Sequence, residues 1–305
     1  MTTIAAGTAA FFQRATGQMG ELRRQAESLQ QQIATGERLA VSSDDPVAAA
    51  RLRALGRAER LAQVDRATSD DTLQSLRFAD DILATIGNEI ARARELTVQA
   101  ASDTLSTNNR ALIGTELEAI ASNLLAAANS TDNAGRPLFA GDSDGPAYTL
   151  DASGNPVYGG TSAAVAVDLG DGVVIDRGVT GPEVFDFTAN GAPANLIGFV
   201  RSLALALQDG AGDPAGAARA ALEGFGEAFE SLSRSQTAIG VRVAWVETVQ
   251  DRQITTSEAR AEEQFAAGGV DFASTIAELQ QTLVVLEASQ AAFARMSNLT
   301  LFNAI

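Results

Sequence analysis

The chain of 305 residues is long enough for about two folded units at roughly 150 residues each, and it is strongly acidic, with 38 Asp and Glu against 22 basic residues and a net charge of −16. Every basic residue is Arg, and Lys, His and Cys are all absent. Those absences exclude disulfide frameworks, thiolate and lysine nucleophiles, Cys- or His-ligated metals, a Walker A lysine and the Ser-His-Asp triad, and the acidity opposes a phosphate backbone, so no nucleic acid is expected as partner.

The first basic residue is Arg14. A cleaved secretory leader needs positive charge ahead of its apolar stretch, so none is expected. No run of about 20 consecutive apolar residues occurs, and no membrane insertion is expected. Phe12, Ala15, Met19, Leu22, Ala26, Leu29 and Ile33 then alternate three- and four-residue steps, the spacing of a coiled-coil seam. This predicts an N-terminal assembly helix within 1–40. Asp45-Pro46 places an N-cap acid before a proline at the first helical position, which starts the next helix. Leu76, Ala79, Leu83, Ile86, Ile90 and Ala93 form its inner stripe, the polar run 102–108 turns the chain, and Ile113, Leu117, Ile120, Leu124 and Ala127 return it. Residues 47–101 and 109–130 are expected as an antiparallel pair, within a first helical half at 41–136.

Five of the seven prolines and ten of the 27 glycines fall in 137–195, which carries eight acids and one base. Such a segment breaks helices and makes turns. Val165, Val167 and Leu169 alternate with small or polar residues, Gly170-Asp171-Gly172 follows, and Val173-Val174-Ile175 completes a hairpin pattern. Tyr148 to Tyr158 is a second candidate hairpin. A small outer β domain is therefore expected at 137–195. Asp213-Pro214 repeats the capping device inside a second helical half at 196–267, with Phe225, Phe229, Leu232, Gln236, Ile239, Val243 and Val246 as its stripe. Phe272, Ile276, Leu279, Leu283, Leu286, Gln290 and Phe293 repeat the seam spacing in a C-terminal assembly helix at 268–305. The expected fold is mainly α: an elongated antiparallel helical rod or coiled coil, with paired N- and C-terminal helices and a small inserted β domain.

Acid pairs are the remaining route to catalysis. Asp168, Asp171 and Asp176 sit in the hairpin, where turn and strand-face roles account for them without glycoside cleavage. Asp142, Asp144 and Gly145 lack the twelve-residue spacing and terminal Glu of a calcium loop. No catalytic, cofactor or metal residue is assigned, and no enzyme activity is expected.

Three fragments carry a resemblance. Ile33-Ala34-Thr35-Gly36-Glu37-Arg38-Leu39 with Ser42-Ser43-Asp44-Asp45-Pro46-Val47-Ala48 resembles the N-terminal signature of the flagellin superfamily. The run from Arg92 to Ala101 resembles its second signature, and Ile239-Gly240-Val241-Arg242 the segment where the C-terminal half rejoins the rod. Together they span about four-fifths of the chain. Within the superfamily, Gly135-Arg136-Pro137-Leu138-Phe139-Ala140-Gly141 and Leu286-Glu287-Ala288-Ser289 are similar to the hook–filament junction branch, while Asn303-Ala304-Ile305 departs from its usual ending. The resemblance implies a structural flagellar subunit in a junction ring. It implies type III export without a cleaved signal peptide, aided by an export chaperone, and an extracellular location on the bacterial flagellum. Implied partners are the chain itself as a ring homo-oligomer, the adjoining hook-associated protein, and flagellin. The alternatives are a filament subunit, or a cell-surface flagellin homologue acting as an adhesin or ligand-binding protein. The residues expected at the assembly interface are Phe12, Met19, Leu22, Leu29, Ile33, Asp44, Asp45, Phe272, Ile276, Leu279, Leu283, Leu286 and Phe293.

Overall fold

The computed structural model describes residues 2–210 and 212–302, with side chains for 10–210 and 212–296. Among the described residues the order is α1 (Thr2–Thr35), α2 (Pro46–Ala100), α3 (Thr107–Ala128), β1 (Tyr148–Leu150), β2 (Pro156–Tyr158), β3 (Ala166–Asp168), β4 (Val174–Asp176), α4 (Gly181–Phe185), β5 (Asp186–Ala189), β6 (Ala192–Asn195), α5 (Leu196–Asp209), α6 (Pro214–Gly268) and α7 (Phe272–Phe302). The fold is mainly α with small inserted strand pairs. Two compact units divide it: Met1–Leu61 with Thr255–Ile305, and Ala62–Ile254.

Local chemistry starts the helices. Asp45 accepts from the Ala48 N–H at 2.9 Å at the head of α2, and Asp213 accepts from the Gly216 N–H at 2.9 Å at the head of α6. Each satisfies an N–H that the helix leaves without a partner. Ser106 caps α3 through the Asn109 N–H. The turn between α2 and α3 is thus two residues shorter on its C-terminal side than the polar run suggests. Asp271 caps α7 through the Ala273 N–H at 3.0 Å, a third Asp device, here without a following proline to mark it.

Within Ala62–Ile254, α2 runs antiparallel to α6. Arg77 pairs with Glu247 at 2.9 Å, and Gln250 donates to Asp70 at 2.7 Å. It also runs antiparallel to α3, through Arg92–Glu116 at 2.6 Å and Asn123 donating to Glu89 at 3.0 Å. The predicted α2 stripe from Leu76 to Ala93 is wholly buried, as are Leu117, Ile120 and Leu124 of α3. By length and composition α3 could cross a membrane, which a search for uninterrupted apolar runs does not detect. Here it is a core helix, packed on α5 so closely that Gly114 lies against the Ala204 carbonyl.

On α6 the inward face differs from the predicted stripe. Phe229 is 50% exposed and Gln236 is only half-buried, while Ala228 and Ser235 lie inside with Phe225, Leu232, Ile239 and Val246. A strict seven-residue pattern drifts about 20° per heptad around a straight helix, so neighbouring positions take over the core face.

The segment 137–195 forms three hairpins. Tyr148 faces Tyr158 in β1–β2, and Val167 faces Ile175 in β3–β4, both as the sequence predicts. The third, β5–β6, and the five-residue α4 before it were not anticipated. Its turn is Asn190-Gly191, with φ of 50° and 79°, the left-handed pair that a two-residue hairpin turn requires. The hairpins share the core with the helices: Leu169, Ile175, Phe185 and Phe187 are buried in the same cluster as Leu83, Phe225 and Ile239. Phe139 and Tyr148 meet the Phe185 ring edge-on at 6.1 and 5.4 Å.

Candidate assembly interface

In the unit Met1–Leu61 with Thr255–Ile305, the segment after α1 crosses the segment before α7. The Gly36 N–H donates to the Gln32 carbonyl at 2.8 Å and ends α1. The Arg38 N–H donates to the Gly268 carbonyl at 2.8 Å, and the Val270 N–H returns to the Gly36 carbonyl at 3.1 Å. Arg38 also donates through Nη2 to the Ala267 carbonyl at 3.0 Å and to Asp45 Oδ2 at 3.3 Å. Asp44 accepts from the N–H groups of Ala40 and Val41 at 3.1 and 3.0 Å, closing the turn. The Ala48 N–H, and then the Arg38 guanidinium, hold the Asp45 carboxyl below its ordinary pKa. The first signature is therefore a joint in which Gly36, Arg38, Asp44 and Asp45 each fix backbone.

From this joint α1 and α7 run back antiparallel. Gln25 donates to Glu278 at 3.3 Å, and the Phe12 and Phe293 rings meet edge-on at 5.2 Å. Ala26, Leu29, Thr275 and Thr282 are buried, and Phe12, Met19, Leu22, Ile33, Leu279, Leu286 and Phe293 are half-buried along the seam. Phe272, Ile276 and Leu283 lie outside it. Leu283 is 41% exposed and its neighbour Val284 64%. The predicted C-terminal stripe thus separates into two rows. Leu279, Leu286 and Phe293 pack on α1 together with Thr275 and Thr282, while Phe272, Ile276 and Leu283 form a neighbouring, more exposed row in which the Phe272 ring reaches Gly36. Threonines at alternate inward positions are what the apolar count misses. The Asn303-Ala304-Ile305 ending lies outside the described residues.

In Ala62–Ile254 the other motifs tie the hairpins to helices. Asp132 accepts from the Arg136 N–H at 2.9 Å and from its Nε at 2.6 Å, and Arg136 Nη2 reaches both oxygens of Asp71 at 3.0 and 2.9 Å. The Phe139 carbonyl accepts from the Gly181 N–H at 2.7 Å and the Tyr158 hydroxyl at 3.0 Å. Arg242 on α6 donates to the Gly178 carbonyl at 2.6 Å and to Asp176 at 3.2 Å. Asp168 accepts from the Gly170 N–H, and Asp171 holds φ of 53° in the same turn. The acids of this hairpin thus serve its turn and its attachment to α6.

Residues 9–144 match the family described as the bacterial flagellin N-terminal helical region. Over that N-terminal region this chain is similar to the bacterial flagellins. A curated relative, flagellar hook-associated protein 3 of Escherichia coli K12, is 28% identical over 290 residues, covering 89% of this chain and 90% of its own. FlgL of Xanthomonas campestris has the same fold, with a TM-score of 0.61 and 17% identity over 70% of this chain and 99% of its own. So does the flagellar junction protein FlgL of Legionella pneumophila, with a TM-score of 0.60 and 15% identity over 72% of this chain and all of its own. The residues that carry the sequence resemblance include the backbone-fixing residues of the joint at Arg38–Asp45 and the attachment of hairpin to helix at Arg242.

Proposed function

We propose that this protein is a structural subunit of the bacterial flagellum that forms the junction ring between hook and filament. The relatives it matches are structural flagellar proteins, named for association with the hook or for the junction. The observation that carries the assembly reading is the second row of α7. Phe272, Ile276 and Leu283 form an exposed apolar row on α7, and Val284 and Val285 add exposed apolar surface on its other faces. An amphipathic helix buries such a row against something, and neighbouring copies with the adjoining hook-associated protein and flagellin are the partners this reading assigns. Type III export aided by a chaperone and an extracellular location complete the proposal. The assembly residues are the thirteen predicted, divided between the seam, the exposed row and the joint at Asp44 and Asp45.

The test is a strain lacking this protein, viewed by electron microscopy and assayed for motility. The expected result is hooks without filaments, with flagellin lost to the medium, and restoration when purified protein is added to isolated hooks. Normal filaments in that strain overturn the proposal.

A further inference from the structure

In the unit Ala62–Ile254 Arg201, on α5, combines a buried guanidinium nitrogen, an Nε with no hydrogen-bond acceptor, with the absence of any side-chain partner among the described residues. Arg66 and Arg260 also bury an unaccepted nitrogen, but both side chains have other partners. A buried guanidinium N–H without an acceptor is costly enough to ask what completes it.

Arg201 lines a cavity of about 120 Å³ between α3, α5 and β1, where Ala121, Leu125, Leu150 and Ile197 supply apolar walls and Glu118 and Ser122 a polar edge. At about 30 Å³ of liquid volume per water, it has room for a small organic molecule. Neither nearby acid forms an ion pair with Arg201. Glu118 Oε2 accepts from the Gln208 amide at 3.0 Å. Asp151, in the β1–β2 turn, accepts from the Ser153 and Asn155 N–H groups, each at 2.8 Å. The same turn presses its backbone onto the arginine. A Cβ at Gly154, where φ is +80°, would stand 2.8 Å from both Cζ and Nη2 of Arg201. The guanidinium therefore lies against Gly154, beside a space with mostly aliphatic walls and Glu118 at its edge, and makes no ion pair among the described residues in a chain of net charge −16.

We infer that this cavity is a binding site for a carboxylate on a short aliphatic stem, received by Arg201. A guanidinium fork matches a carboxylate in geometry and charge, and Leu125, Leu150 and Ile197 suit the methylenes behind it. That chemistry has two sources: a free short-chain carboxylic acid, or an acidic side chain presented by a neighbouring subunit.

The full-length protein in dilute solution is followed by the NMR signal of each arginine Nε–H, with Arg201 assigned from its loss in Arg201→Gln. Sodium propionate is titrated against equal sodium chloride. For a free acid, the Arg201 signal shifts saturably with propionate and not with chloride. The shift is lost in Leu150→Trp, which fills the mouth of the cavity while leaving the guanidinium. For a neighbour's side chain, propionate leaves the signal unmoved, and Arg201→Gln protein that melts like the parent fails to assemble on hooks. A shift produced equally by chloride overturns the carboxylate assignment. The absence of both a propionate response and an assembly defect overturns the site. Because the propionate titration needs no flagellar component, its outcome does not depend on the junction proposal.

Discussion

The Asp132 carboxylate has a side chain only 6% exposed and accepts the Ala134 N–H at 2.9 Å, in addition to the two donors of Arg136. Burial pushes its carboxyl up, but those N–H groups and the guanidinium outweigh it and hold the group below its ordinary pKa. Hydrogen bonds to a charged group contribute more than neutral ones, so Asp132→Ala is expected to cost about 2–3 kcal/mol in denaturant unfolding at neutral pH. A carboxyl whose pKa is depressed in the fold stabilises fully above its unfolded value, near 3.9, and that contribution is lost as pH falls through the lower folded value. The parent should therefore lose part of its advantage over Asp132→Ala between about pH 4 and the folded pKa. At the alkaline end the burial of Tyr148, with a smaller contribution from Asp186, pushes its phenol up. Its contribution is whole below about pH 10 and is lost as pH rises toward the folded value. Between these limits Arg keeps its charge and the chain has no His, Lys or Cys. Thermal scans from about pH 6 to about pH 9 should give one nearly constant midpoint, and a step in that range would contradict the account. The caps at Asp45 and Asp213 are legible in sequence because a cap is local. The Asp132–Arg136–Asp71 clamp is not, because its far acid lies 65 positions earlier in the chain.

Elements were legible wherever one face of a helix is continuously buried, as from Leu76 to Ala93, and wherever turn chemistry is explicit, as at Gly170-Asp171-Gly172. Asn190-Gly191 was equally explicit. Its hairpin is harder to read because Pro193 in β6 interrupts the strand pattern. In the structure Pro193 is tolerated opposite Thr188 in a two-stranded pair, whose outer edge needs no donor. The stripe on α6 was legible only in part, since alanine and serine fill core positions that a search for large residues skips. That difference has a direct measure. Leu232, 1% exposed, should cost about 2–5 kcal/mol as Leu232→Ala, because the cavity left behind adds to the lost burial. Phe229→Ala, at a larger but half-exposed residue, should cost below about 1 kcal/mol. Paired urea titrations of the two variants decide it. Equal losses would mean that Phe229 faces the core after all.

For the molecule as a subunit, the telling contrast is between two leucines three residues apart on α7. Both belong to one apolar stripe in the sequence, and sequence spacing has no means of separating a row that meets α1 from a row that meets another molecule. The structure separates them: Leu286 is half-buried on α1, while Leu283 is exposed beside Val284. A carboxylate at position 286 must either lose its water or push the helices apart, and burying an unpaired charge is expensive. Leu286→Asp should therefore weaken the α1–α7 pair in the free chain, seen as reduced helical circular dichroism and faster proteolysis of α7, and it should fail to assemble as a consequence. A carboxylate at position 283 stays hydrated in the free chain, so Leu283→Asp should keep the parent's helicity and melting midpoint. It meets its cost only when a neighbour covers the exposed row, and every subunit in a ring bears that cost again. The expected pattern is loss of binding to isolated hooks by both variants, with loss of helix pairing by Leu286→Asp alone. If Leu283→Asp assembles like the parent, the exposed row of α7 is not the surface that joins subunits, and the contact must be sought on another face.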